Sequence, residues 1–289
     1  MVKSEFQAFA LISFGYFVVR YLFGVPFELS LWITLLMTIG MYHGSYDVRL
    51  IQMISTNSYE LWKNLLIYSV LGAILFWVWV LFPQAFMLFF LLETIVHFGT
   101  EDAIGKGVRS IAEMALKGLL PIVLSTFFYP NEVLPFFSIL LGSNDLSKNW
   151  ISILGFFAIF LPTLVPFIFF DCKWKIALKE ILTITAVFVL IPPPFSFGLY
   201  FVIFHSLRHL KEVQILSKRP LVAIFFDPYA WLVTFIVAIP LAATAFFGFL
   251  EKSAIATYPF IVFACLTFPH AFFQRRLKKC LFLGKQLLD

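Results

Sequence analysis

Ten apolar stretches, each about the length a helix needs to cross a bilayer, leave this chain little choice of fold. They lie at 6–24, 27–45, 62–82, 84–100, 119–141, 150–170, 176–192, 194–210, 229–249 and 254–273. A hydrocarbon core of about 30 Å asks for roughly 17–25 mainly apolar residues per helix. In lipid every backbone amide must be satisfied within the segment, which restricts spanning structures to helices and closed barrels. Stretches this long and continuous predict helices. The expected fold is therefore all-α: a polytopic transmembrane bundle of about 8–10 membrane-embedded helices, forming one integral membrane domain over 1–289. Composition agrees, with 61% apolar and only 13% charged residues, against about 45–50% and 25% in soluble domains. This balance excludes a soluble enzyme, a disordered chain and a disulfide scaffold. The three cysteines, Cys172, Cys265 and Cys280, show no pairing pattern.

Pro130, Asn131 and Glu132 interrupt the 119–141 stretch, so it is either one broken span or a re-entrant pair. Pro192-Pro193-Pro194 must separate two helices, because three successive prolines remove three backbone donors. With ten crossings and a cytoplasmic start, 18 of the 21 Lys and Arg residues fall on the inside, among them Lys117, and only Arg20, Lys148 and Lys252 fall outside. That asymmetry predicts a multi-pass protein of the cell (inner) membrane with both termini cytoplasmic. The N-terminal stretch has no small-residue cleavage motif after it and reads as a retained helix. The net charge of +5 reports topology and predicts no nucleic-acid partner.

The five histidines, His43, His97, His205, His209 and His270, all fall toward the ends of even-numbered spans. On this map they share one depth near the cytoplasmic face. Ionisable residues within a membrane are costly and mark function. His205 and His209, in Phe-His-Ser-Leu-Arg-His, stand at i and i+4 on one helix face, a spacing that suits one metal ion. His43 opens His-Gly-Ser-Tyr-Asp and His97 opens His-Phe-Gly-Thr-Glu-Asp. Each is followed by a carboxylate, Asp47 in one case and Glu101 or Asp102 in the other, able to hold the second ring nitrogen. A His-lined metal site follows, with Fe(II) and Cu both open on chemistry alone. His270, in Thr-Phe-Pro-His, is read first as an outer-shell or substrate-side residue. The 39 phenylalanines suit a large apolar ligand, and those nearest the histidine blocks are Phe98, Phe201, Phe204, Phe268 and Phe272, with Tyr200 and Tyr46 beside them.

The blocks at 43–47, 97–102, 200–209 and 267–270 together resemble the signature blocks of the Brp/Blh family, bacteriorhodopsin-related-protein-like homologues that are membrane β-carotene 15,15′-dioxygenases. They occur in the family's order and reach from residue 43 to 270. The resemblance implies O2-dependent central cleavage of β-carotene to two retinal molecules at non-haem Fe(2+). It implies His43, His97, His205 and His209 as catalytic iron ligands, with Asp47, Glu101, Asp102 and His270 outside them. Tyr46, Phe98, Tyr200, Phe201, Phe204 and Phe268 are the candidates for contact with the polyene. It also implies the bilayer as the source of substrate and a retinal-binding opsin as a recipient of product. The competing reading is a polytopic transporter or metal or proton carrier that uses the same histidines. Inverted repeats and paired broken helices would mark it, and 119–141 has no second copy in the sequence.

Overall fold

The structure, a computed structural model, describes residues 3–24, 34–105, 110–170, 173–193, 195–246 and 252–286. Among these residues every regular element is a helix. In chain order they are α1 (Lys3–Phe23), α2 (Met41–Ser45), α3 (Asp47–Ile54), α4 (Ser58–Leu81), α5 (Pro83–Asp102), α6 (Ile111–Phe128), α7 (Pro130–Leu141), α8 (Asn144–Leu164), α9 (Trp174–Leu190), α10 (Phe195–Gly198), α11 (Leu207–Ser217), α12 (Leu221–Phe225), α13 (Pro228–Phe246) and α14 (Lys252–Gln286). Two segments, Leu36–Gly40 and Leu199–Ser206, are wound as π-helix, and Val165–Phe170 continues α8 as a 3₁₀ turn. The ends follow ordinary capping chemistry. Asn57 accepts from the Glu60 amide at the start of α4 (2.9 Å) and Ser143 accepts from the Leu146 amide at the start of α8 (3.4 Å). Pro83, Pro130 and Pro228 each open a helix, where a missing N–H costs nothing. Gly142, at φ +66°, closes α7 in the left-handed conformation.

Five stretches are long and apolar enough to cross a membrane: Glu5–Phe23, Ser58–Leu81, Ile111–Phe128, Asn144–Phe169 and Leu221–Ile239. Most of the ten apolar runs lie on helices; part of 27–45 and the end of 229–249 fall outside the described residues. The 119–141 run is interrupted where its prolines and polar residues place the break. It is two helices, broken at Tyr129 because Pro130 supplies no donor and disfavours the helical conformation in the residue before it. At 12 residues and 1.5 Å per residue, α7 is too short to span. The spanning helix starts eight residues earlier than the apolar run, at Ile111, and so contains Glu113 and Lys117. Lys117 is thus a fully buried helix residue, and not the loop cation that its charge suggested.

Two compact units share the chain: Met1–Leu36 with Leu91–Arg208, and Met37–Phe90 with His209–Asp289. In the first, α6 packs on α8 and α9, α7 packs on α8, and α1 lies against the Leu199–Ser206 π segment. The last turns of α5 touch α6 backbone to backbone. A Cβ on Gly99 would stand 2.3 Å from the Met114 carbonyl oxygen, and one on Gly118 would stand 2.1 Å from that of Ile95. Only glycine allows this approach, and it fixes His97 and Asp102 against α6. In the second unit, α14 packs on α3 and α4, and α13 on α2 and α3. Its core joins Tyr42, Tyr46, Leu50, Leu210, Val213, Ile224, Ala230 and Leu277, with the Tyr42 hydroxyl donating to the Ile224 carbonyl.

A candidate histidine metal centre

All five histidines are buried, at 1–5% exposure, and they fall into two groups, each within one unit. In the second unit, His43, His209 and His270 face one another. Ring centroids are 5.0 Å apart for His43 and His270, 5.3 Å for His209 and His270, and 5.7 Å for His43 and His209. The three come from α2, α11 and α14. The π winding of Leu36–Gly40 leads directly into α2, and the Nδ1 of His43 donates to the Gly40 carbonyl at 2.5 Å. The Nδ1 of His270 lies 2.7 Å from the Asp47 carboxylate, which also accepts from the Tyr68 hydroxyl at 3.0 Å. Burial raises the Asp47 carboxyl above the usual carboxylate range, against the lowering effect of His270 and Tyr68. The Gln274 side-chain amide reaches the same place, 2.6 Å from His270 Nε2 and 3.1 Å from each ring nitrogen of His209.

In the first unit, His97 of α5 and His205 of the π segment lie with ring centroids 5.1 Å apart. The Asp102 carboxylate sits 3.3 Å from His205 Nδ1 and accepts from the Tyr200 hydroxyl at 2.5 Å. A buried charge network then holds Asp102. Its main-chain carbonyl accepts from Lys117 Nζ at 2.8 Å and from Arg208 Nη1. Lys117 also donates to Glu113 (2.6 Å) and Glu180 (2.5 Å), and Arg208 donates to Glu180 (2.7 Å). Glu113 accepts from the Ile104 and Gly105 amides at 2.8 and 3.1 Å, which ties down the chain just after α5.

Asp47 and Asp102 are each paired with a histidine other than the one they follow in sequence. Asp47 holds His270, the Gly40 carbonyl holds His43, and Asp102 holds His205. Glu101, in the last turn of α5, is half-buried. Of the aromatic candidates, Phe98 packs 4.6 Å from the His205 ring and Phe201 stacks on it at 5.8 Å. Tyr200 is fully buried with its hydroxyl committed to Asp102. Phe204 is fully buried between Phe9 (5.2 Å) and the Arg208 guanidinium (4.2 Å). Phe268 is half-buried against Phe89 at 5.4 Å. Tyr46 belongs to the core of its unit, and its hydroxyl accepts from Arg219 at 3.1 Å.

Sequence reasoning missed Gln274, Tyr68, Glu113, Lys117 and Glu180. Three of these had a signal: Gln274 stands at i+4 from His270, and Glu113 and Lys117 stand at i,i+4 at the edge of an apolar run. The donor set suits a divalent transition metal. Imidazoles from separate stretches crowd together, and Nδ1 of His43, His205 and His270 each faces an oxygen acceptor. One ring nitrogen fixed by an oxygen acceptor is how ligating histidines are held.

Residues 33–278 match the family described as beta-carotene 15,15′-dioxygenase. A curated relative, named beta-carotene 15,15′-dioxygenase, from the uncultured marine bacterium 66A03, is 28% identical over 258 residues, covering 82% of this chain and 90% of its own length. No solved structure matches the chain.

Proposed function

Because the chain belongs to the β-carotene 15,15′-dioxygenase family, we propose that it cleaves β-carotene with O2 at the central 15,15′ double bond, giving two retinal molecules. One observation carries the reading: the family match runs from residue 33 to 278 and so takes in all five histidines. On this reading a non-haem Fe(II) is held by His43, His97, His205 and His209. When bound, the iron supplies a spin-allowed route for O2 to react with a closed-shell polyene. The balance is simple: the central C=C breaks, each carbon gains one oxygen atom from the same O2, and no external electrons are needed.

The residues have definite tasks in this chemistry. The Gly40 carbonyl and the Asp102 carboxylate fix the tautomers of His43 and His205 and so keep each Nε2 basic. Tyr200 holds Asp102 in place. Phe98 and Phe201 cover the His205 ring with apolar surface, which keeps water away and offers flat faces to a conjugated chain. β-Carotene is comparable in length to the ~30 Å hydrocarbon core and dissolves in it, so entry is lateral, from the bilayer of the inner membrane. The excess of Lys and Arg on the expected inside supports cytoplasmic termini. Retinal released into the same bilayer is available to a retinal-binding opsin.

Expression in β-carotene-producing bacteria tests the proposal. Retinal should accumulate as carotene colour fades, and chromatography should show no unequal apocarotenal pair. Unchanged carotene with well-expressed protein, or products of off-centre cleavage, would overturn it. Asp102→Asn keeps the shape but removes the charge facing His205, and is expected to cost about 10–100-fold in retinal formation. Tyr200→Phe, which only loosens Asp102, should cost less.

A further inference from the structure

We infer that His270 is itself a ligand of the metal, in one set with His43 and His209, and that Asp47 and Tyr68 are its positioning pair. The inference rests on the metal-dependent reading above and changes the place of His270 in it. Three observations within one unit carry it. The first is the distances: His270 is nearer to His43 and to His209 (5.0 and 5.3 Å) than those two are to each other (5.7 Å). A residue outside the ligand set would stand behind a ligand, and not complete the triangle.

The second is the way the ring is held. Its Nδ1 faces a buried carboxylate at 2.7 Å, and that carboxylate is fixed by a buried tyrosine. Burying a carboxylate is expensive, and a histidine that only packs has no use for one. A histidine bound to a metal through Nε2 does, because the carboxylate fixes the tautomer and raises ligand basicity. Asp47 lies four residues after His43, yet it serves His270 across more than two hundred residues of chain. His43 is held by a main-chain carbonyl instead. Each ring of this pair therefore has its own acceptor.

The third is Gln274. Its amide lies 2.6 Å from His270 Nε2 and 3.1 Å from both nitrogens of His209. One small polar group thus lies beside both rings, within hydrogen-bond distance of each. The Gln274 carbonyl oxygen is buried and has no hydrogen-bond partner among the described residues.

The test uses the full-length protein in detergent with Co(II) as the probe, since the visible spectrum of Co(II) reports the number and field of its nitrogen ligands. Affinity and spectrum are measured for His270→Ala, Asp47→Asn, Tyr68→Phe and, as a reference, His43→Ala. His270→Ala should bind Co(II) at least about 100-fold more weakly and with an altered spectrum, as His43→Ala does. Asp47→Asn should lose about 10–100-fold, the cost typical of an outer partner of a ligand, and Tyr68→Phe less. Added imidazole should restore the spectrum of a His270→Gly variant, which no purely structural role would allow. If His270→Ala keeps the native affinity and spectrum while His43→Ala loses both, the inference fails and the metal-dependent reading stands. If both variants bind Co(II) as the native protein does, that reading fails with it. Should His270→Ala not fold, Asp47→Asn decides, because an unchanged spectrum there removes the need for an oriented His270.

Discussion

Alanine at His209 is expected to abolish retinal formation, by more than about 100-fold in cells that accumulate β-carotene. Loss of a group that merely orients a ligand costs about 10–100-fold, so loss of a ligand lies at or beyond that upper end. His209 is 4% exposed, and its ring faces His43 and His270 at 5.7 and 5.3 Å. Truncation therefore leaves a gap at the centre of a packed group and removes one of its three imidazoles. His205→Ala should have a comparable effect, since its ring is the one that Asp102 faces and that Phe98 and Phe201 enclose. The measurement is retinal per cell by chromatography, with expression level and far-ultraviolet circular dichroism to show that the variant is made and helical. Full bleaching by either variant would remove that residue from the active site.

The second large effect is on stability. Lys117→Met is expected to destabilise the protein by about 3 kcal/mol, the lower end of the ~3–5 kcal/mol for breaking a buried ion pair by removing one partner. Lys117 is fully buried and donates to Glu113, Glu180 and the Asp102 carbonyl. Methionine has similar length but leaves two buried carboxylates facing an apolar side chain. The loss stays near the lower bound because Glu180 keeps Arg208 and Glu113 keeps the Ile104 and Gly105 amides. A melting curve in detergent checks it. Pairing the change with Glu113→Gln should recover part of the loss, since the second substitution removes one of the stranded charges. If Lys117→Met melts with the native protein, the network contributes nothing to the fold.

Much of the fold was legible because lipid imposes one strong rule on any chain within it. Backbone groups must be paired locally, so a long apolar run such as 62–82 could only be a helix, and α4 is one. The rule weakens where charge enters. Lys117 marks a loop when each charge is priced alone, but burial among two carboxylates and a carbonyl cancels most of that price, and the pairing is a property of tertiary structure. The proline at 130 was visible; that it ends one helix and opens another followed from the same chemistry. At the site, His43, His97, His205 and His209 stood out by type and depth. What could not be read was partnership. Asp47 lies next to His43 in sequence, and nothing short of the packing of α14 on α3 puts it on His270. The His205–His209 spacing is likewise the same text whether the helix is wound as α or π, and here the winding changes between the two.

That change of winding has an evolutionary reading. A π turn carries one residue more than a regular turn, and such bulges arise by single-residue insertion into an α-helix, often at functional sites. Leu199–Ser206 therefore holds a spare residue just upstream of His209. Losing one residue there lets the coil narrow while α11 keeps its rotational phase. The same loss inside Leu207–Ser217 turns everything after it by about 100°. Tolerance of single-residue deletions should therefore change sharply at Leu207, where the π winding gives way to α11.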